Sequence, residues 1–508
     1  MFDIKSRDAA SGLDDVGPPA SGRRASRLVA RFGAAGAAAG LAATAAVAVP
    51  VSRGAVASVA VGPLQFSVDR LAVMLLLLVF AVSVTAQVFA ARYLAGDPRA
   101  GWFAANAILL TGASAGLVTA GTLVTLAFCW TLAGIALCLL LATYWTLPAA
   151  RDGVRRAVLA FLVGDLALWS AVVLATVSWG TVDLRAAGSA SPGGPLAGVI
   201  AVLIVLAALS RSAQIPFHRW LPATLAAPTP VSALLHAGVV NAGGILLIRL
   251  APLTADGTAR TLTVLAGAAT MVYGAVIMLA KPDVKGALVH STTAQMGFMI
   301  LTCGLGLWAA AAIHLVAHGF YKSTLFLSSG SAVAAGRRAE ARPPAGPAPN
   351  PAQRFAAAAA AVLLPGLALA LAVAVVAPQF GSSGDHAAEQ ALLIFAFLTG
   401  VAATRGWMRR RPGLPGVLGA AAVLLPAALA YVGIVTSLSG FLAPALPDPA
   451  LPASVVWLVA ALAAAALAVL AVALRSPRAQ RLHSVLYTSA LSAGYVPARH
   501  TPQPTGVR

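Results

Sequence analysis

The densest chemistry in this 508-residue sequence lies in AAIHLVAHGFYKSTLFL, where His314, His318 and Lys322 follow one another at intervals of four. On a helix of 3.6 residues per turn each lies about 40° from the last, so two imidazoles and an amine share one face. Imidazoles exchange protons near neutral pH. Three ionisable groups in a row on an otherwise Leu/Ala/Val helix have the make-up of a proton relay. Four more ionisable residues stand in apolar surroundings: Asp165 in FLVGDLALW, Arg211 in LSRSAQIPFHRWLP, His236 in PTPVSALLHAGVVNAGG and His290 in HSTTAQMGFM. Charges are costly at membrane depth, and where they occur they mark ion or proton pathways. Two other readings stay open. A single histidine can be a hydrogen-bonded packing residue, and His-x-x-x-His is a zinc spacing, although no Cys or carboxylate lies close in sequence to complete a tetrahedron.

Helices that cross a bilayer must position these groups. The chain is 59% hydrophobic and only 10% charged, against about 25% charged in soluble domains, which excludes a soluble protein of this size. A net charge of +19 would suggest nucleic acid in a soluble chain. Here the basic residues sit in short clusters between apolar runs, so they read as topology determinants and no nucleic-acid partner is expected. Runs long enough to span occur near 28–50, 70–91, 102–119, 121–146, 157–180, 195–210, 228–252, 261–280, 286–304, 307–333, 355–378, 389–407, 414–442 and 453–474. With the N-terminus inside, the inner loops hold Arg23/Arg24/Arg27, Arg92/Arg99, Arg151/Arg155/Arg156, Lys281/Lys285 and Arg409/Arg410/Arg411, and the outer loops hold most of the loop acids. The expectation is an all-α polytopic protein of the cell (cytoplasmic) membrane, with about 13–14 transmembrane helices and both termini cytoplasmic. The lysines are only four, at 5, 281, 285 and 322, so a Lys inside an apolar helix is a chemical choice.

The 228–252 run opens Pro228-Thr229-Pro230 and carries Asn241, Gly243 and Gly244. This predicts a Pro/Gly-broken helix with His236 near the break, a backbone tolerated in a membrane where it is buried in protein or lines a cavity. A Pro-initiated helix with glycines for close packing is the other reading. Cys129, Cys138 and Cys303 show no CxxC spacing and read as small core residues. The chain divides into a disordered cytoplasmic extension (1–27), a transmembrane core (28–336), a Pro-rich cytoplasmic linker (337–354), C-terminal transmembrane helices (355–475) that read mostly as scaffold, and a cytoplasmic tail (476–508).

Three stretches resemble the proton-translocating, antiporter-like membrane subunits of respiratory complex I and of Mrp-type multisubunit cation/proton antiporters. They are SAQIPFHRWLPATLAAPTPVSALLHAGVVNAGG (212–244), KPDVKGALVHSTTAQMGFM (281–299) and AAIHLVAHGFYKSTLFLSSGS (311–331). Weaker similarity lies in VDRLAVML (68–75), ARYLAGD (91–97) and Gly164-Asp165, so that residues 60 to 335 are covered. Within that superfamily the wording LLHAGVVNAGGILLIRLAPL and AQMGFMILTCGLG looks most like the DabB membrane subunits of the DabA/DabB inorganic carbon pumps. The resemblance implies an antiporter-like fold with Lys322, His314 and His318 as a central relay and His236 and His290 as adjoining stations. It implies a transporter subunit, not an enzyme, that conducts protons or another cation and couples the flow to CO2/bicarbonate uptake. It further implies a DabA-like, zinc-binding, carbonic-anhydrase-like partner, and no cofactor in this chain.

Complex I subunits carry an acid in the fourth apolar segment, paired with a Lys on a later broken helix. Here the segment reads Trp130-Thr131-Leu132-Ala133-Gly134, and Arg211 stands in place of that Lys. Arg keeps its proton at working pH, so Arg211 is expected to act as a fixed charge with Asp165 as counter-ion. In the second half Asp385, His386 and Glu389 read as an exposed loop and helix start. The alternatives are a proton-translocating subunit of a complex I-type NADH-quinone oxidoreductase or Mrp-type antiporter and, from another class, a structural membrane scaffold. No dinucleotide glycine motif, Cys cluster or haem signature favours a redox enzyme.

Overall fold

The computed structural model describes residues 20–180, 182–184, 194–281, 283–340, 351–380, 386–411, 413–447, 454–455, 457–458 and 480–492. Most of the expected extension, linker and tail, all but four residues of the fourteenth apolar run at 453–474, and Asp385 fall outside the described residues. The first helix begins at Ala20, so the end of the expected extension is helical, as is Gln480–Ser492 in the expected tail.

The described chain is helical: α1 (Ala20–Ser52), α2 (Arg70–Tyr93), α3 (Ala100–Thr119), α4 (Leu123–Leu141), α5 (Pro148–Trp179), α6 (Ala197–Arg211), α7 (Thr229–Ala237), α8 (Ala242–Arg249), α9 (Gly257–Ala280), α10 (Val284–Gly304), α11 (Trp308–Glu340), α12 (Pro351–Phe380), α13 (His386–Arg410) and α14 (Leu414–Leu442). Taking α7 and α8 as halves of one segment, these match thirteen of the fourteen apolar runs. Among the described residues, ten segments are long and apolar enough to span on length and composition alone. Helices α10 and α11 are not among the ten, because the polar residues that carry the chemistry dilute their hydropathy.

Loop acids start several helices by accepting from first-turn amides, which have no intrahelical partner. Asp69 takes Ala72 N at 2.7 Å, Asp256 takes Thr258 N at 2.8 Å, and Asp283 takes Gly286 N at 2.5 Å. A short antiparallel hairpin, β1 (Ala57–Val61) and β2 (Leu64–Val68), joins α1 to α2. It closes over the α3–α4 turn, where Gly121 N donates to Gln65 O at 2.8 Å and Gln65 N to Thr125 Oγ1 at 3.0 Å. On the same face Arg249 forks onto the Asp69 carboxylate and also donates to Val118 O at 3.0 Å, while Arg70 reaches Ser52 O and Phe441 O. These bonds gather one end each of α1, α2, α3, α8 and α14.

Burial ranks the helices from centre to rim. The α7–α8 segment is 94% buried, against 28% for α12 and 17% for α14, so the broken helix is the axis of the fold. Helices α9 and α10 pack closely through small residues, as membrane helices do. A Cβ at Gly297 would stand 2.7 Å from Met271 Cα, and one at Gly267 would stand 2.5 Å from Leu301 N.

Candidate functional site

The break in the central helix falls two residues after His236. Helix α7 ends at Gly238, a single 3₁₀ turn covers Val239–Asn241, and α8 follows. The carbonyls freed by the break are bonded by side chains: Asn241 Nδ2 donates to Ala237 O at 3.0 Å, and Ser212 Oγ donates to Val240 O at 2.7 Å. This is how irregular backbone survives in a membrane core. The His236 ring lies flat on Phe326 of α11, with centroids 4.3 Å apart.

Helix α11 carries His314, His318 and Lys322 on the face that meets α10, and all three are buried. Lys322 Nζ donates to Leu288 O at 3.1 Å and makes a close hydrogen bond to Ser291 Oγ. His318 Nδ1 lies 3.0 Å from Gln295 Oε1. The four-residue spacing of His318 and Lys322 is thus answered by Gln295 and Ser291, four apart on the facing helix. His314 stands 6.0 Å from His318 between centroids and is walled edge-on by Phe298 of α10 and Phe395 of α13. Lys322 pairs with no carboxylate among the described residues. His236 Nδ1, His314 Nε2 and His318 Nε2 are buried with no hydrogen-bond partner among the described residues.

A second, separate arrangement surrounds Arg211 at the last turn of α6. Its guanidinium lies between the Trp130 and Phe161 rings, 4.5 and 4.3 Å from their centroids. Nη2 donates to Asp165 Oδ1 at 2.7 Å and Nη1 to Trp130 O at 3.2 Å, while the Trp130 indole donates to the same Asp165 oxygen at 2.8 Å. A Cβ at Gly134 would fall 2.7 Å from Arg211 Nη1, so the glycine of the Trp130–Gly134 stretch makes room for the guanidinium. Thr131 faces elsewhere and accepts from the Trp169 indole at 3.1 Å. A small cavity lined by Arg211, Ser114, Trp130, Gly238 and Val239 lies between this cage and the helix break.

The structure therefore brings together His236, His314, His318 and Lys322 in one group, and Arg211 with Asp165 in another. His290 joins neither. Its ionisable neighbours are Lys281 and Asp283 at the α9–α10 turn and His218 in the turn between α6 and α7, and His218 stacks edge-on with Tyr273 at 4.6 Å. There, outside the spanning helices, burial and the neighbouring Arg219 push the His218 ring below the usual imidazole range. Sequence reasoning singled out neither Ser291 nor Gln295, although their spacing within HSTTAQMGFM mirrors that of His318 and Lys322. It also passed over the Asp69–Arg249 pair and Phe395. Among the described residues no three His, Cys, Asp or Glu side chains converge in a group that could hold a metal ion.

Residues 120–342, which contain every candidate above from Asp165 to Lys322, match the family described as NADH:quinone oxidoreductase/Mrp antiporter, transmembrane; residues 59–104 match the complex I chain 5 N-terminus. The chain belongs to this superfamily. Among its relatives, the probable inorganic carbon transporter subunit DabB1 of Halothiobacillus neapolitanus is 37% identical over 66% of this chain and 62% of its own length. The probable inorganic carbon transporter subunit DabB of Bacillus subtilis is 38% identical over 54% of each chain. NADH-quinone oxidoreductase subunit L of Mycobacterium tuberculosis is 35% identical over 52% of this chain and 43% of its own. The chain thus matches less than two thirds of the length of these relatives. Among solved structures, a chain of the Mrp complex from Dietzia sp. DQ12-45-1b superposes over 92% of this chain and 62% of its own, with TM-score 0.54 and 25% identity. The all-α, antiporter-like membrane fold read from the sequence is the observed one.

Proposed function

We propose that this chain is the proton-conducting (or cation-conducting) membrane subunit of an energy-coupled complex that takes up inorganic carbon as CO2 or bicarbonate. The observation that carries the reading is the buried Lys322 amine, held by a hydroxyl and a carbonyl of α10 rather than by a carboxylate, with His318, His314 and His236 beside it. Lys and His bind and release protons, and the ring nitrogens without protein partners are atoms through which a file of water could connect them. The similarity to the probable inorganic carbon transporter subunits supports the cargo. The expected partner is a DabA-like, zinc-binding, carbonic-anhydrase-like subunit, which would supply the hydration chemistry; the location would be the cell membrane with both termini cytoplasmic.

The test is uptake of labelled bicarbonate by cells or vesicles holding the whole complex, with and without an uncoupler. Lys322→Ala and Lys322→Arg should both abolish uncoupler-sensitive uptake, because Arg keeps the charge but does not release its proton. Wild-type uptake in Lys322→Arg would refute proton exchange at this position.

A second reading is favoured by the likeness to the Mrp complex and to oxidoreductase subunit L: a translocating subunit of a complex I-like or Mrp-like assembly. Mass spectrometry of what co-purifies from native membranes in mild detergent separates the two. One large zinc-binding partner supports carbon uptake, and a set of quinone-reductase or antiporter subunits supports the second reading.

A further inference from the structure

We infer that Gln295 is a positioning residue that fixes which nitrogen of His318 exchanges protons. The inference rests on the relay proposed above. The side-chain oxygen of Gln295, 3.0 Å from His318 Nδ1, can only accept a hydrogen bond, so Nδ1 of the neutral ring carries the hydrogen and Nε2 keeps its lone pair. Nε2 is buried and has no hydrogen-bond partner among the described residues. Proton uptake at Nε2 gives an imidazolium with hydrogens on both nitrogens, and release from Nε2 restores the starting tautomer. Release from Nδ1 would leave the opposite tautomer, with its remaining hydrogen on Nε2, and the ring would have to reset before the next proton. Gln295 opposes that loss by holding the Nδ1 hydrogen.

The setting makes this a property of α10 rather than of a charged neighbour. On its own helix His318 has His314 and Lys322 nearby, and from α7 it has His236. Helix α10 presents the uncharged Gln295 and Ser291. Helix α2 presents Leu78 against Gly319, and α13 presents Phe395 against His314 and carries Glu389 in its first turn. No carboxylate is paired with the His318 ring among the described residues, so its tautomer depends on one amide oxygen. Ser291, one turn earlier, holds Lys322, which makes a single face of α10 the template for two successive groups.

Two substitutions test this in the intact complex, with Lys322→Ala as the control for the relay itself. Gln295→Met keeps the volume but removes the acceptor, and should slow uncoupler-sensitive bicarbonate uptake about ten-fold or more. Gln295→Glu keeps an acceptor on Nδ1 and adds charge that favours the imidazolium. It should hold the maximal rate near wild type while moving the pH profile in the alkaline direction. Membrane abundance and elution as an assembled complex are measured for each variant. Wild-type uptake by Gln295→Met overturns the inference. So does an equal loss in both variants with an unchanged pH profile, which would mark Gln295 as packing only. If Lys322→Ala also leaves uptake intact, the relay fails, a result distinct from failure of Gln295 alone.

Discussion

Asp165→Asn isolates what the guanidinium cage is for. Arg211 is 1% exposed and Asp165 18%, joined at 2.7 Å. The substitution preserves shape, removes the only carboxylate paired with Arg211 among the described residues, and leaves the buried cation in place. Removing one partner of a buried ion pair costs about 3–5 kcal/mol. The lower end applies here, because the Trp130 carbonyl and two aromatic faces continue to solvate the guanidinium and each face contributes about 0.5–2 kcal/mol. Asp165→Asn combined with Arg211→Gln removes both charges, and the buried-charge penalty with them. The double variant should therefore melt at a higher temperature than Asp165→Asn alone, despite carrying one more substitution. The assay is the temperature at which the detergent-solubilised complex loses its monodisperse elution peak, measured for wild type, both singles and the double. A single Asp165→Asn as stable as wild type would refute the reasoning. So would a double variant that is additive with its parts, since additivity means the two groups do not interact.

Three further outcomes follow from the geometry. Gly297→Val places new carbon against the α9 backbone near Met271; overpacking costs about 1–3 kcal/mol, so a lower melting temperature and yield are expected, and an unchanged melt would show that the helices are not in contact there. Asp69→Asn keeps a cap for α2 but strands Arg249, which is 12% exposed, so it should destabilise more than Asp69→Asn combined with Arg249→Gln in the same melting assay; the reverse order would refute the pair. For His218 the folded state favours the neutral ring, so the unfolded chain takes up the proton first as pH falls through about 6.5. The stability contributed by the neutral ring is present above that pH and lost below it. The drop in melting temperature between pH 7.5 and 5.5 should therefore be smaller in His218→Gln than in wild type, and an equal drop would refute the assignment.

The face shared by His314, His318 and Lys322 was legible because a helical period fixes angles between residues four apart, whatever packs against them. The broken helix was legible as a segment but not at its break: Pro230 starts α7 and Gly243 and Gly244 give close packing within α8, while the break falls at Gly238–Asn241. Partners contributed by other helices were less accessible. Gln295 and Ser291 are ordinary polar residues until α10 is laid against α11, and Phe395 reaches His314 from a helix that read as scaffold. The placement of His290 shows the same limit: it sits beside Ser291 in sequence, yet successive helical residues point about 100° apart, and its ionisable neighbours are at the α9–α10 turn and in the turn between α6 and α7. The hairpin between α1 and α2 escaped because ASVAV and LQFSV are short and two-sided, and only the Gly62-Pro63 turn marks them.

The break after His236 also bears on how the protein is made. Helices α7 and α8 have nine and eight residues, so each is about 12–14 Å long at 1.5 Å per residue, less than half the thickness of the hydrocarbon core. Neither half can enter lipid as an independent spanning unit. The carbonyls at their junction are bonded by Ser212 and Asn241, and the walls around them come from α2, α6 and α11, the last beginning about sixty residues after α8 ends. The two halves reach across the membrane only together, as the one 21-residue apolar segment Thr229–Arg249, and the wall that α11 gives them is the last of the three to be made. The bonds at the junction are made by residues that precede α11 in the chain, whereas the His236–Lys322 group is completed only when α11 packs against α7 and lays Phe326 on the His236 ring.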